Sequence, residues 1–379
     1  MHAPPDLPPG LVRPVLAAVD PYEPGRPSDE VRRERGLDSV VKLASNEGPF
    51  PPMPGALAAI AESAAGQHRY PDPGAWELRD ALAERHGVDP GRILVGNGVD
   101  SLIKLLCLVA LDRGDELAMC WPSFLSWRQG ALVQGGRVVT AALEPGGAYD
   151  LEALAAAVGP RTKLVVIVSP NNPTGGAVAA DALREFLDRL PAHVLPCVDE
   201  AYFEYLDSDG HDAVALAREG RPVVALRTFS KVYGLAGLRV GYLVGPAALV
   251  REIARVRNAF DVSGPAQAAA LASLREAGDH LPQRVAMVAR EREATARGLR
   301  ELGLAPLPST ANFLLVELGR ERAAAVNEEL LARGVIVRPA RAFGAPGALR
   351  ITIGWPEENA RMLAALAEAL AAVPAGVPA

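Results

Sequence analysis

The chain of 379 residues has few cysteines and no long apolar segment, and each shortage excludes a class of protein. Cys107, Cys120 and Cys197 lie far apart without a CxxC pair, which argues against a disulfide framework and against a zinc knuckle. The longest apolar segments, such as residues 102–111, are interrupted by a lysine and are far shorter than the roughly 20 residues of a membrane span. We therefore expect buried thiols, no metal site and no membrane role.

The sequence also lacks an excess of positive charge. It has 39 Lys+Arg against 45 Asp+Glu, a formal net charge of −6. No overall basic field is available to hold nucleic acid or an anionic membrane, so any anionic ligand must be bound locally. The first residues contain no basic stretch followed by an apolar core, so we expect no secretory signal and a cytoplasmic protein.

The patterns along the chain predict an arm followed by two folded units. The first 27 residues hold eight prolines and predict an extended arm of the kind that lies across a partner subunit. Helical patterns and apolar strand patterns then alternate, which predicts a doubly wound α/β domain. The runs typical of buried parallel strands are 163–169, 194–198, 223–226 and 240–244. A long helix over 284–302 and strands over 312–318 and 349–353, flanking a helix over 323–333, predict a smaller α+β unit.

Polar residues follow several of these strands, where ligands of parallel sheets collect. Gly96-Asn97-Gly98-Val99-Asp100-Ser101 can offer backbone N–H groups to a phosphate, although a turn capped by Asp100 or Ser101 explains it equally well. Ser169-Pro170-Asn171-Asn172 presents two amides, which turn chemistry alone would also explain. Asp199-Glu200-Ala201-Tyr202 places a carboxylate at the sheet edge and a phenol three residues later, with a helix cap as the alternative for the acid.

The segment from Arg227 to Tyr242 is the most informative. It places Lys231 among small, apolar and hydroxyl residues, a neighbourhood that disfavours a solvated lysine. A lysine kept from bulk water has a lowered pKa and can form a Schiff base with an aldehyde. Together the motifs supply a carboxylate, an amide, a phenol, a phosphate cradle, a lysine and an arginine, which suits pyridoxal phosphate.

With these motifs the sequence resembles the class I/II aminotransferases of PLP fold type I, and within them the histidinol-phosphate aminotransferase branch. Seven motifs carry the resemblance, in order: Lys42-Leu43-Ala44-Ser45-Asn46-Glu47, Arg69-Tyr70-Pro71-Asp72, Gly96-Asn97-Gly98, Ser169 to Gly175, Asp199 to Tyr202, Thr228 to Arg239, and Leu349 to Gly354. The resemblance implies a large PLP-binding domain over 48–275 with a mostly parallel doubly wound sheet. It also implies a smaller α+β domain over 276–379 and a homodimer. Residues 1–47 would form an N-terminal arm and part of the smaller domain.

The resemblance implies a role for each matched residue around pyridoxal 5′-phosphate. Lys231 would bind the cofactor covalently and carry the proton of the 1,3-shift, and Asp199 would pair with the pyridinium nitrogen. Asn172 and Tyr202 would hydrogen-bond the ring oxygen, and Lys231, Asp199 and Tyr202 form the predicted catalytic set. The residues implied to contact the cofactor phosphate or ring face are Ser230, Arg239, the amides of Val99 and Asp100, Tyr70 from the other subunit, and Phe124, for which a core phenylalanine is the alternative.

The implied substrate contacts are an arginine pair and an arm residue. Arg350 matches the arginine that takes a substrate carboxylate in a planar, bidentate contact. Histidinol phosphate has no carboxylate, so Arg350 and Arg338 would bind its phosphate, with Asn172 close by. Tyr22 matches an arm tyrosine near the substrate side chain, with a turn residue as the alternative.

Departures from the branch pattern at Gly48, Val99, Ser101 and Trp355 remove no group from the cofactor site but leave the substrate open. We expect transfer of an amino group from histidinol phosphate to 2-oxoglutarate. The alternatives are an aromatic amino-acid aminotransferase, a PLP-dependent phospho-amino-acid decarboxylase and, in a different class, a non-catalytic PLP-binding regulator. A regulator of that kind carries a DNA-binding domain before the motifs, where we expect only the short arm.

Overall fold

The structure is a computed structural model that describes residues 10–21, 25–206 and 210–374. Its strands are β1 (Val41–Lys42), β2 (Ile93–Gly96), β3 (Glu116–Cys120), β4 (Arg137–Ala141), β5 (Thr162–Val168), β6 (Leu195–Asp199), β7 (Val224–Thr228), β8 (Gly241–Val244), β9 (Phe313–Glu317), β10 (Val335–Ile336), β11 (Arg338–Pro339) and β12 (Ala348–Thr352). Its helices are α1 (Ser28–Arg35), α2 (Pro54–Ser63), α3 (Trp76–His86), α4 (Gly98–Ala110), α5 (Leu125–Gln134), α6 (Leu151–Ala156), α7 (Ala180–Arg189), α8 (Ala213–Arg218), α9 (Ala247–Val256), α10 (Gly264–Glu301), α11 (Arg320–Ala332) and α12 (Pro356–Ala372).

Seven strands form the large sheet, in the order β2-β8-β7-β6-β5-β3-β4. The pairs from β7 through β6, β5 and β3 to β4 are parallel, with helices in the connections, and this confirms the mostly parallel, doubly wound α/β prediction. Every residue of β2, β3, β7 and β8 is buried. Strands that are covered in this way consist of apolar runs, which is why their positions could be predicted from the sequence.

The direction of one strand differs from the prediction. We expected residues 240–244 to form a parallel strand, but β8 is antiparallel to both β2 and β7. A parallel return requires a crossover, usually an α-helix. Between Thr228 and Gly241 the chain forms only the short 3-10 helix Ala236–Leu238, so it folds directly back beside β7. The segment that carries Lys231 is therefore a tight return at the end of β7.

The long helix α10 begins twenty residues before the predicted start at residue 284 and includes Pro282. Its first half buries Ala266, Ala269 and Ala270, and it packs along α2. A carboxylate of Glu276 accepts a hydrogen bond from the Gly55 N–H at 3.0 Å, which satisfies one of the free N–H groups of α2. This packing covers the half of the helix that precedes the proline.

The smaller part contains the antiparallel sheet β11-β12-β9 and the parallel pair β1-β10. Because β1 pairs with β10, the segment before residue 47 joins the C-terminal part of the chain. The boundary that we placed between residues 275 and 276 falls inside α10. The domain limits remain a prediction.

The described part of the N-terminal arm is not wholly extended as predicted. Pro14–Ala18 forms a 3-10 helix, with the proline at its first position, where the fixed φ of proline suits a helix. The side-chain amide of Gln129 in α5 donates to the carbonyl of Asp20 at 2.7 Å, which ties the arm to the large sheet. None of the described helices combines the length and apolar character that a membrane span requires.

Candidate active site

A cavity of about 310 Å³ lies where the carboxyl ends of β5, β6 and β7 meet the start of α4 and the middle of β12. This volume is at the lower end of the range for pockets that enclose small organic ligands. Most of the predicted site residues line it: Val99, Asp100, Phe124, Asn172, Asp199, Tyr202, Ser230, Lys231, Arg239 and Arg350. The tertiary structure thus brings together groups that are up to 251 residues apart, from Val99 to Arg350.

One end of the cavity is a cradle for an anion. Helix α4 begins at Gly98, so the N–H groups of Val99 and Asp100 lie in its first turn, where N–H groups have no partner within the helix. Gly98 has φ +72°, and a Cβ there would come within 2.6 Å of a guanidinium nitrogen of Arg239. Residues with a side chain rarely adopt this positive φ, which explains the glycine, and the Arg239 guanidinium lies close to its backbone.

Ser230 and Arg239 complete this cradle. The Ser230 hydroxyl accepts hydrogen bonds from Thr228 Oγ1 at 2.9 Å and from Arg239 Nη1 at 3.4 Å. The other guanidinium nitrogen of Arg239 lies 3.5 Å from a carboxylate oxygen of Asp100. The alternative in which Asp100 or Ser101 caps the helix is wrong, because Asn97 occupies the N-cap position. The Asp100 carboxylate instead accepts a hydrogen bond from the Ser126 hydroxyl at 2.5 Å.

Asp199 ends β6 and is only 1% exposed. Burial raises the pKa of its carboxyl from 3.8 to about 6. The indole N–H of Trp127 opposes this shift by donating to Oδ2 at 3.0 Å, and the Ala201 N–H lies 3.3 Å from Oδ1. A carboxylate placed on a buried wall with two donors is suited to pair with a cationic ring nitrogen.

Sequence reasoning did not single out Trp127. The signal was present, because Trp127 follows the predicted ring-stacking Phe124 by three residues, and residues so spaced in a helical turn lie on the same face. Phe124 immediately precedes α5 and lines the cavity. Trp127, one turn later, is fully buried beneath it and reaches Asp199.

Lys231 lies just beyond β7, and its amine faces the cavity 5.5 Å from the centre of the Tyr202 ring. Burial lowers the pKa of this amine to about 8, and the nearby guanidinium of Arg350 adds to the effect. A substantial fraction of the amine is therefore neutral near pH 8, and only the neutral form attacks an aldehyde.

Arg350, in the middle of β12, is 3% exposed and joins the two parts of the chain. Its Nη1 donates to Oδ1 of Asn172, and its Nη2 donates to the carbonyl of Ala44 at 2.7 Å. Its guanidinium carbon lies 5.0 Å from the centre of the Phe343 ring. Because the Asn172 oxygen is turned toward Arg350, its amide nitrogen remains as the donor for a ligand.

Arg338 and Arg350 are register partners in the antiparallel pair β11-β12. Side chains of such partners point to the same face of a sheet. Arg350 lines the cavity; the guanidinium of Arg338 lies 5.6 Å from the ring of Phe343, which also lines it. The two cations therefore share one aromatic neighbour.

Tyr202 packs edge to face with Phe313 at 5.2 Å between ring centres. Its hydroxyl accepts a hydrogen bond from the Asn46 amide nitrogen at 2.8 Å. Asn46 belongs to a motif that we quoted, yet sequence reasoning gave it no role. The Asn46–Tyr202 contact spans 156 residues, so no local pattern could have revealed it.

Among the described residues, Tyr70 and Arg338 are predicted site residues that do not line the cavity, and Arg338 lines a separate one. Tyr70 does not line the cavity of its own chain: it is 81% exposed and stacks on Phe260 at 4.3 Å between ring centres. Tyr22 lies outside the described residues.

The chain is similar to known proteins over nearly its whole length. Residues 38–366 match the family described as Aminotransferase class I and II. The chain is 43% identical over 363 residues to a histidinol-phosphate aminotransferase of Anaeromyxobacter sp. (strain Fw109-5), covering 96% of this chain and 100% of that protein. It is 40% identical over 368 residues to the histidinol-phosphate aminotransferase of Moorella thermoacetica, covering 95% and 93%. A crystal structure of histidinol-phosphate aminotransferase from Sinorhizobium meliloti in complex with pyridoxal-5′-phosphate superposes with a TM-score of 0.88 at 30% identity, covering 96% of this chain and 99% of that one.

Proposed function

This chain belongs to the class I and II aminotransferases, and from that premise we propose that it transfers the amino group of L-histidinol phosphate to 2-oxoglutarate in histidine biosynthesis. The observation that carries the choice of substrate is the register pair Arg338 and Arg350 beside the cavity. Two fixed guanidinium groups suit a phosphate dianion better than the single carboxylate of an aromatic amino acid.

The cavity residues fit pyridoxal 5′-phosphate. The anion cradle at the start of α4, where a Cβ on Gly98 would strike Arg239, suits the cofactor phosphate, with Ser230 and the N–H groups of Val99 and Asp100 as further donors. At the buried wall, Asp199 would pair with the ring nitrogen. When bound, the cofactor supplies an electron-accepting ring that stabilises negative charge on the substrate Cα.

Each remaining residue has a separate task in this proposal. Lys231 would hold the cofactor covalently until an amino substrate displaces it, and its freed Nζ would then accept the Cα proton and return a proton two atoms away, which is the 1,3-shift. Asn172 and Tyr202 hydrogen-bond the ring oxygen, and Phe124 packs against the ring face. Keeping Asp199 ionised would preserve the positive charge on the ring nitrogen, and the Trp127 hydrogen bond favours the ionised form.

We further propose a homodimer in which each subunit lends Tyr70 to the cofactor phosphate of the other. The support is an exposed aromatic pair outside the cavity, Tyr70 stacked on Phe260 at 43% exposure, and a further exposed ring, Trp76 at 54%. Exposed apolar surface of this kind marks protein interfaces. Tyr22 would approach the substrate side chain from the arm. The three buried, unpaired cysteines support the cytoplasm as the location.

The test is a comparison of amino donors. We expect turnover of histidinol phosphate with 2-oxoglutarate to exceed that of phenylalanine by at least about 100-fold in kcat/KM, because losing charge-assisted hydrogen bonds to a phosphate removes several kcal/mol. Preference for phenylalanine would support the aromatic alternative, and release of carbon dioxide from threonine phosphate would support the decarboxylase. Cofactor binding without turnover of any donor would support the regulator.

A further inference from the structure

Asn46 is held in a conformation that few residues adopt. Its φ is +52°, in the left-handed region, and its side chain is 1% exposed. Asparagine tolerates this region better than most residues, but such a conformation persists only where the surroundings fix it. Here Asn312 fixes the backbone, because its amide nitrogen donates to the Asn46 carbonyl at 3.1 Å.

A threonine sets the orientation of the Asn46 amide. The Thr352 hydroxyl accepts the Asn46 backbone N–H at 3.0 Å and lies 3.2 Å from Oδ1 of the same residue. A hydroxyl has one proton to give, and here it is given to Oδ1. The amide oxygen therefore faces Thr352, and the amide nitrogen faces the Tyr202 hydroxyl at 2.8 Å.

This orientation constrains the phenol. An amide nitrogen can only donate, so the Tyr202 oxygen is the acceptor in this contact and its own proton must point elsewhere. Asn46 and Tyr202 both line the cavity, together with the charged groups of Lys231, Asp199 and Arg350. Resting on the proposed function, we infer that Asn46 is a positioning residue that turns the Tyr202 proton toward the ring oxygen of the bound cofactor.

The threonine that orients the Asn46 amide comes from the strand that carries the substrate arginine. Thr352 lies two residues after Arg350 in β12, and Arg350 itself donates to the carbonyl of Ala44, two residues before Asn46. β12 thus holds Asn46 itself and the segment just before it. The hydrogen bond that orients the Tyr202 phenol is therefore supported by β12, the strand that also carries the substrate arginine, Arg350.

The matched variants Asn46→Asp and Asn46→Gly separate positioning from a purely structural role. Aspartate keeps the shape and tolerates a left-handed backbone, whereas glycine loses the whole buried side chain. A structural role therefore makes the glycine variant the more damaged. A positioning role instead makes the aspartate variant the more damaged. The carboxylate accepts the Tyr202 proton and turns it away from the cofactor, whereas glycine leaves the phenol free to rotate.

The measurements are the absorbance spectrum of the cofactor-loaded protein, its change with pH, and the cofactor dissociation constant. We expect Asn46→Asp to weaken cofactor binding about tenfold and to alter the spectrum, with a smaller change for Asn46→Gly. In a Tyr202→Phe background the aspartate substitution should have no further effect. Ala75→Gly relaxes another left-handed residue, φ +48°, away from the cavity and should leave spectrum and affinity unchanged.

A wild-type spectrum and affinity for Asn46→Asp, a glycine variant more damaged than the aspartate one, or an aspartate effect that persists without the Tyr202 hydroxyl would each overturn the inference. If Asn46→Asp does not fold, Thr352→Val decides the question: it frees the amide to flip and should alter the spectrum, and an unaltered spectrum counts against positioning. Failure of the wild type to bind cofactor would instead refute the proposed function. Because the readouts need no amino donor, a wrong substrate assignment leaves the test valid.

Discussion

The two ends of the cavity are built in different ways. At the cofactor end the groups follow directly on β6, β7 and the start of α4, and several contacts are local: Ser230 bonds Thr228, two residues away, and Asp199 bonds Ala201. At the substrate end Arg350 reaches Asn172 and Ala44 across 178 and 306 residues. The cofactor end is thus set largely by strand ends, and the substrate end by the docking of distant segments.

The ends also differ in charge. The cofactor end combines a carboxyl whose pKa burial raises to about 6 with an amine whose pKa burial lowers to about 8. The substrate end holds two permanently charged guanidinium groups beside Phe343. The first region is suited to moving protons and the second to binding an anion, so substitutions should separate chemistry from substrate choice.

The largest effect should come from the cofactor end. Lys231→Ala should abolish borohydride-fixed covalent labelling by the cofactor and lower transamination by at least about 10³-fold, because one group serves as tether and as proton carrier. Lys163→Ala, at an exposed position in β5, is the matched control and should retain both properties. Covalent labelling and normal turnover in the Lys231 variant would refute the assignment.

At the substrate end, the two arginines should differ between half-reactions. Arg338→Met should slow the half-reaction with histidinol phosphate about 10- to 100-fold and change that with glutamate much less, because only the phosphate engages both guanidinium groups. Arg350→Met should slow both, since either substrate anion meets this arginine. Single-turnover absorbance of each half-reaction provides the measurement.

Arg333→Met is the control for this pair, because that guanidinium bonds Glu329 and Glu368 at the surface of α11 and α12. It should leave both half-reactions unchanged. An Arg338 variant that slows the two half-reactions equally would mean that this arginine does not distinguish a phosphate from a carboxylate.

The distinction between strand ends and distant segments, which also divides the cofactor end, explains what could be predicted from sequence. Lys231, Asp199 and the turn at Gly98 stand at or just after the ends of apolar strands, so apolar runs and a strand-end rule locate them. The direction of β8 was predicted wrongly, because direction depends on the connection and not on strand composition. Sequence patterns did not predict the Asn46–Tyr202 and Trp127–Asp199 contacts, because only tertiary packing brings these segments together.

The pH dependence of cofactor capture should connect the two ends. The pKa of Lys231 is lowered to about 8, so the rate of covalent capture should rise with pH up to about 8 and level off above it. With an ordinary lysine, the rate would continue to rise until the pH approached 10.5. Arg350→Met removes a cation that lowers this pKa, so its midpoint should move to higher pH. Stopped-flow absorbance of cofactor-free protein mixed with cofactor measures both, and a midpoint unmoved by the Arg350 substitution would mean that the ends are electrostatically independent.

The smallest effect concerns stability. The folded-state pKa of Asp199 is raised from 3.8 to about 6, so between these pH values the folded protein retains a proton that the unfolded chain has lost. The free energy of unfolding therefore falls as pH rises through this window, and the loss is complete above pH 6. Asp199→Asn has no such charge, and it should stabilise the cofactor-free protein at pH 7 by about 1–3 kcal/mol while weakening cofactor binding.

Urea unfolding of the cofactor-free wild type and the Asp199→Asn variant, at equal protein concentration and at pH 4 and 7, measures this difference. The difference in unfolding free energy between the two proteins should be small at pH 4, where the wild-type carboxyl is protonated in the folded state. It should be larger at pH 7. A gap of equal size at both values would assign the effect to packing around Trp127 instead of charge. A difference in unfolding free energy that is confined to pH 7 means that the Asp199 carboxylate destabilises the cofactor-free protein. The charge is retained because a cationic ring needs it once the cofactor is bound.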